Sequence, residues 1–242
     1  MQDRKKELQL SGIALVTGAS RGIGCEVARR LALEGFDVVA LGRRFPEGIF
    51  SDLSGRVHQM KFDLYEVSKI ADMVKSVGPV SVLVNNAGVM HALTWKEYSD
   101  DMRERSLRVN LIAPVEILRS VAPGMMQRRS GAVVNVASIA GYIGHPDLWY
   151  GATKAALLNV TKSFALQLGA FGITVNAVAP GPVETDMLEV IPKERQERLR
   201  TSAVTGRFAS AQEVADAVLS MLFCPLQMTG TTLDICAAAV LR

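Results

Sequence analysis

The stretch Ile13-Ala14-Leu15-Val16-Thr17-Gly18-Ala19-Ser20-Arg21-Gly22-Ile23-Gly24 decides the fold. A short apolar run rich in β-formers gives way to a turn carrying three glycines, and an amphipathic segment then continues to Glu34. That order predicts strand, glycine turn and helix, the opening of a dinucleotide-binding unit. Glycine has no Cβ, so the backbone can turn sharply and approach a pyrophosphate. The helix N-terminus that follows offers free N–H groups and the positive end of its dipole. The spacing is G-x-x-x-G-x-G rather than G-x-G-x-x-G, and glycine turns also occur in ordinary βα loops. The strand before and the helix after favour the nucleotide reading. Gly18, Ser20, Arg21, Gly22, Ile23 and Gly24 are therefore candidate cofactor residues.

The next predicted strand, Val38 to Leu41, runs into Gly42-Arg43-Arg44. NAD-binding folds tend to place a carboxylate here for the ribose 2′-hydroxyl. Asp37 is at the wrong end of the strand, whereas Arg43, helped by Arg44 or Arg21, suits a 2′-phosphate through charge-assisted hydrogen bonds. NADP(H) is thus expected over NAD, the alternative being that the arginines are solvated loop charges. A third strand, about His58 to Phe62, leads to Asp63 and Leu64; the Asp63 carboxylate suits either the adenine amino group or a helix cap. A fourth, Val80 to Val84, leads to Asn85-Asn86-Ala87-Gly88, where small and amide side chains let backbone approach a cofactor.

Downstream, Tyr150 and Lys154 are four residues apart and share one face of a predicted helix from Tyr150 to about Ala170. A free phenol titrates near 10, and a fixed ammonium beside it would favour the phenolate. Tyr-x-x-x-Lys alone is a weak pattern, equally compatible with an aromatic anchor and a solvated lysine.

The 242 residues, 49% hydrophobic and 21% charged, fit one domain able to bury its own core. A net charge of +3 is far from the clustered excess of a nucleic-acid binder. Cys25, Cys224 and Cys236 have neither metal spacing nor the even count of a disulfide framework, so no metal and a reducing compartment are expected. No apolar run has signal-peptide or membrane-span length, which gives a soluble, cytoplasmic expectation.

Thr17-Gly18-x-x-x-Gly22-x-Gly24, Asn85-Asn86-Ala87-Gly88, Tyr150-x-x-x-Lys154 and Pro180-Gly181 stand in the order and at the approximate intervals seen in the short-chain dehydrogenase/reductase family. The sequence resembles that family from about Ile13 to Asp234, most of all its 3-oxoacyl-(acyl-carrier-protein) reductases and related keto-reductases. The resemblance implies an α/β fold, a single doubly wound Rossmann domain over 1–242 with a central parallel sheet of about seven strands and helices on both faces. Residues 1–11 would be an N-terminal arm and 186–208 a substrate lid. It also implies catalytic roles for Ser138, after the strand Ala132 to Val136, and for Asn110, beside Tyr150 and Lys154. Asn110 falls in a predicted helix from about Tyr98 to Gln127. Pro114 has no N–H to offer the Asn110 carbonyl four residues earlier, which leaves that carbonyl for a relay water or marks a plain kink. Pro180, Gly181, Val183 and Thr185 would border the nicotinamide.

The implied activity is reversible NADP-dependent reduction of a carbonyl to an alcohol, with Tyr150 as general acid and base. The substrate would be a small carbonyl or alcohol, or an acyl thioester, and the protein a homo-oligomer, tetramer or dimer. The alternative is a non-catalytic NADP-binding sensor or structural oligomer of the same fold. Two departures stand out. The interval from Ser138 to Tyr150 is one residue short, and Thr231 to Ala239 lacks the glycines that family members often place after the final strand. Arg128 and Arg129 are candidates for an acyl-carrier contact, although Phe171 stands where carrier-dependent members often have a basic residue. His91 and His145 are read as surface or packing residues, and Cys25 as a packing residue.

Overall fold

The computed structural model describes residues 2–240, and for residues 9–11 the backbone alone. Met1, Leu241 and Arg242, included in the expected 1–242 domain, lie outside the described residues. Among the described residues seven strands form one sheet: β1 (Ile13–Thr17), β2 (Val38–Gly42), β3 (Val57–Lys61), β4 (Val80–Asn85), β5 (Gly131–Val136), β6 (Ile173–Pro180) and β7 (Thr232–Ile235). Every pairing is parallel, and the order is β3-β2-β1-β4-β5-β6-β7. The chain therefore reverses direction across the sheet between β1 and β4, and the crevice beyond their C-terminal ends is where such sheets bind ligands.

Parallel strands are covered on both faces, so they read as nearly continuous apolar runs, and alternate residues serve opposite faces. Ala14 and Val16 of β1 pack with Val82, Val84, Val27 and Leu31 of α2 (Gly22–Leu33), and Val214 and Val218 of α9 (Ala211–Leu222). Leu15, between them, faces the other way with Leu83. There it meets Ile70 and Val74 of α3 (Ile70–Val77) and Ile117 and Leu118 of α5 (Ala113–Arg128), and Ala165 and Leu168 of α6 (Leu148–Leu168) pack into the same cluster. Among the described residues, no helix is long and apolar enough to cross a membrane.

Three expectations need correction. The N-terminal arm is helix α1 (Gln2–Ser11): Leu8 is fully buried in the core, and Arg4 donates to the Gly131 carbonyl at 2.9 Å. The helix expected from Tyr98 to Gln127 is not continuous. Helix α4 (Asp100–Leu107) passes into a π-helical turn, Arg108–Ile112, before α5 begins. Pro114 cannot supply an N–H, and the helix widens ahead of it, the Ala113 N–H donating to the Arg108 carbonyl five residues back. Asn110 sits in that π-turn. Finally, Arg128 and Arg129 lie at the N-terminal edge of the sheet, where they donate to the carbonyls of Val80 (2.6 Å) and Ala170 (3.0 Å). That is the edge opposite the ligand crevice of the same chain.

After β7 the chain takes positive φ at Ala237 (46°) and Ala238 (58°), the conformation in which glycine has no Cβ penalty. The missing glycines noted in the sequence thus leave two alanines holding left-handed backbone. Segment 186–208 contains α7 (Asp186–Glu189) and α8 (Lys193–Ser202).

Candidate active site

A cavity of about 930 Å³ opens over the C-terminal ends of the strands. Gly18, Ser20, Arg21, Gly22 and Ile23 line one wall; Asn86, Ala87 and Gly88 line the next; Pro180, Gly181, Val183 and Thr185 form a third. Arg43, Arg44, Asp63 and Leu64 border the β2 and β3 end, and Ser138, Tyr150 and Lys154 the β5 end. The structure therefore gathers the sequence candidates around one space, apart from Gly24 and Asn110, which do not line it.

The glycine turn is held against the end of β4 by hydrogen bonds between Thr17 and Asn86, in line with amide side chains tying neighbouring strands there. Thr17 Oγ1 accepts from the backbone N–H groups of Asn86 and Ala87, both at 3.0 Å, and Asn86 Nδ2 donates to the carbonyls of Thr17 (2.9 Å) and Gly18 (3.2 Å). A Cβ on Gly24 would stand 2.4 Å from both Asn86 Nδ2 and the Gly18 carbonyl, and one on Gly18 would stand 2.8 Å from the Ala87 Cα. Gly24 thus serves close helix-to-strand packing, one step behind the surface a pyrophosphate would touch.

At the β2 end, Arg43 and Arg44 are exposed and make no hydrogen bond or ion pair among the described residues. Arg21, expected as their helper, is committed elsewhere: its guanidinium meets Asp186 at 2.7 Å, tying the glycine turn to α7. Asp63 caps a local turn by accepting from the Tyr65 N–H (3.0 Å) and pairs with Arg105 at 3.1 Å. Burial raises its carboxyl, but the Tyr65 amide, Arg105 and the nearby Arg43 charge together hold it below the ordinary carboxylate range. These features fit a nucleotide carrying a 2′-phosphate: a turn whose Gly18 and Gly24 leave no room for a Cβ, beside two exposed guanidinium groups without partners among the described residues.

Tyr150 and Lys154 lie in the first two turns of α6, 8% and 3% exposed. Burial pushes the Tyr150 phenol above its usual value, the neighbouring Ser138 hydroxyl acts downward, and the Asp147 charge acts upward. Burial lowers Lys154 to about 8; its Nζ donates to the Val136 carbonyl at 2.8 Å and lies 5.7 Å from the Tyr150 ring centre. Burial therefore opposes the phenolate-favouring effect expected of Lys154, and the group that favours ionisation of Tyr150 is Ser138. The Ser138 hydroxyl also caps the following turn, accepting from the Ala140 N–H at 3.1 Å.

Asn110, fully buried, stands behind this pair. Its amide brackets Val89, accepting from the Val89 N–H (2.8 Å) and donating to the Val89 carbonyl (2.9 Å), and it also donates to Thr153 Oγ1 (3.2 Å). Asn110 thereby fixes the loop after Gly88 against α6.

Asp147 is the site residue that sequence reasoning overlooked, although a carboxylate directly ahead of an apolar helix is an N-cap signature. It is fully buried and accepts four hydrogen bonds: from the Tyr150 N–H (3.0 Å), the Tyr98 hydroxyl (2.5 Å), and the N–H groups of His91 (3.0 Å) and Ala92 (2.9 Å). It thus sets the start of α6, and with it the Tyr150 ring, against the loop that carries Met90 into the cavity. His145 is not a bystander either. Its ring lies 5.4 Å from that of Tyr150, and its Nε2 is 3.1 Å from the Arg195 guanidinium.

Comparison with known proteins gives the chain a family. The family model described as short chain dehydrogenase matches residues 12–196. The 3-oxoacyl-(acyl-carrier-protein) reductase FabG of Staphylococcus aureus (strain Mu50) is 32% identical over 222 residues, covering 87% of this chain and 90% of that protein. Among solved structures, the actinorhodin polyketide ketoreductase with NADPH superposes with a TM-score of 0.86 at 32% identity, over 96% of this chain and 98% of that one. A putative 2-deoxy-D-gluconate 3-dehydrogenase from Agrobacterium tumefaciens with bound NADP gives 0.88 at 28% identity, over 98% and 99%.

Proposed function

The chain belongs to the short-chain dehydrogenase family and is an oxidoreductase, and on that premise we propose that it reversibly reduces a carbonyl to an alcohol with NADP(H), using Tyr150 as general acid and base. The observation that carries this reading is the buried Tyr150 phenol beside Ser138 and one helical turn from Lys154, inside the cavity the glycine turn lines. The nicotinamide ring of NADPH would supply the hydride. Ser138 donates to the carbonyl oxygen and polarises it, and Tyr150 delivers the proton to that same oxygen. Lys154, whose ammonium is buried beside the phenol, holds the nicotinamide ribose and recharges Tyr150. Asn110 keeps the Val89 loop and the catalytic helix in register, and its own carbonyl, denied an N–H by Pro114, holds the relay water. Arg43 and Arg44 hold the 2′-phosphate, and 186–208 closes over the substrate. The named relatives suggest a 3-oxoacyl thioester as one substrate class, and the reading includes assembly of this chain as a homo-oligomer, a tetramer or dimer, with the long helix α6 as its contact.

The test is oxidation of NADPH, beside NADH, over a panel of carbonyl compounds for the wild type and Tyr150→Phe. Loss of the proton donor is expected to lower kcat by about 10²- to 10⁴-fold while the rise in melting temperature on adding NADPH persists. Near-normal turnover in a folded, cofactor-binding Tyr150→Phe would refute the assignment.

A further inference from the structure

We propose that Arg195, oriented by His145, holds a carboxylate of the substrate, so that the compound reduced at Tyr150 is a compact oxo-acid. The proposal rests on the carbonyl reduction argued above and adds the group that recognises the substrate. It starts from the positive charges that line the cavity, namely Arg21, Arg43, Arg44, Arg105, Lys154 and Arg195. Arg21 is paired with Asp186, and Arg105 with Asp63. Arg43 and Arg44 stand at the β2 terminus, the nucleotide end, and Lys154 is engaged with the Val136 carbonyl. Arg195 is left: at the carbonyl end of the cavity, it makes no salt bridge among the described residues, and its one hydrogen-bond partner there is His145 Nε2 at 3.1 Å.

The protonation of His145 follows from its partners. Nδ1 faces the Asp147 backbone carbonyl at 3.1 Å, an acceptor, so Nδ1 carries the hydrogen. Nε2 faces a guanidinium, which can only donate, so Nε2 offers a lone pair. The imidazole is therefore neutral, in keeping with burial and the Arg195 charge both holding it below its ordinary value. A neutral ring aims the guanidinium but cannot balance its charge. Burial lowers the Arg195 guanidinium below its ordinary value and the Asp147 charge only partly offsets this, because the two Asp147 oxygens already accept four hydrogen bonds.

A half-buried guanidinium with its remaining N–H groups turned to a cavity is short of an anion, and its planar fork matches a carboxylate. Placement gives the rest. One imidazole separates Arg195 from the Tyr150 ring, so the carboxylate would stand a few bonds from the carbonyl carbon. Ile143, Met187, Leu188, Ile191 and Leu199 line the cavity from the same loop and segment, and they suit a short aliphatic body between the two groups. A plain ketone or a steroid would leave Arg195 unpaired.

The experiment compares acetoacetate and 4-oxopentanoate with their methyl esters, and with a short 3-oxoacyl thioester, for the wild type, Arg195→Gln and Arg195→Lys. The wild type is expected to favour the acids. Arg195→Gln should lower the acid-to-ester ratio of kcat/KM on the order of 10- to 100-fold, chiefly through KM, and Arg195→Lys should restore part of it. Calorimetric titration of acetoacetate onto the NADP-loaded protein reads the same contact without turnover, and Arg195→Gln should weaken that binding by a similar factor. An unchanged ratio and unchanged binding in Arg195→Gln would make the His145–Arg195 contact a latch and overturn the proposal. Reduction of esters or thioester in preference to the acids would overturn it too, while leaving carbonyl reduction standing. If the wild type reduces nothing yet binds acetoacetate through Arg195, the carboxylate site stands and the reductase reading fails.

Discussion

Replacing Asp147 by alanine should destabilise the protein and disturb the chemistry at Tyr150 in one step. The carboxylate caps α6 through the Tyr150 N–H, and losing a cap of this kind costs about 1 kcal/mol. The Tyr98 hydroxyl and the His91 and Ala92 amides lose their anionic acceptor at the same time. Each donor left without a partner adds about 1 kcal/mol or more, for a total on the order of 3–5 kcal/mol. At 2–4 °C per kcal/mol for a chain of this size, the melting temperature should fall roughly 6–20 °C. Asp147→Asn should fall less. Its amide oxygen can face His91 and Ala92 while its NH₂ donates to the Tyr98 hydroxyl oxygen, so that two donors, the Tyr150 N–H and the Tyr98 O–H, lose this acceptor rather than four. Asparagine also removes a negative charge that raises the Tyr150 pKa, so the ionisation of Tyr150, and the limb of the pH–rate profile it controls, should move to lower pH. Thermal scans and pH profiles of kcat for both variants check this. A melting temperature for Asp147→Ala within 2 °C of wild type (about 1 kcal/mol), together with an unmoved pH limb, would refute it.

Arg43→Ala should weaken NADPH binding by about 10- to 100-fold, the worth of one to two charge-assisted hydrogen bonds, and leave NADH nearly unaffected; titration of both nucleotides measures it, and equal losses would remove the argument from Arg43. Lys154 is held at about 8 against an ordinary 10.5, a gap worth roughly 3 kcal/mol. The folded state therefore binds its proton less readily than the unfolded chain. The full penalty acts below pH 8 and fades as pH rises from 8 toward 10.5, so wild-type stability gains over that window. Lys154→Met should accordingly melt higher than wild type at pH 7, with an advantage that shrinks by pH 10, while turnover is lost; an advantage independent of pH would contradict the burial argument.

How much of this was legible in the sequence depended on whether the relevant physics is local. The glycine turn, the strands around it and the Tyr150–Lys154 pair follow from backbone freedom and from the two periodicities of strand and helix, properties written into neighbouring residues. The strand ends drifted by a residue or two, as at β3, because where pairing stops is set by the partner strand. The π-turn at Asn110 was half visible: Pro114 announces a lost hydrogen bond, but whether the helix kinks or widens depends on what holds its side chains, here Val89 and Thr153.

Arg195, the fate of Arg21 and the part of Asp147's role beyond its helix cap were out of reach for a different reason. Each acquires its role from a partner distant in sequence, Tyr98 and His91 for Asp147, His145 for Arg195, and Asp186 for Arg21. The direction of the Tyr150 and Lys154 shifts belongs to the same class. Sequence spacing placed an ammonium near a phenol and so foretold attraction between charges, which local geometry determines. The desolvation that raises the phenol and lowers the ammonium comes from the strands, loops and helices closing around them, and burial is a property that only the assembled fold possesses.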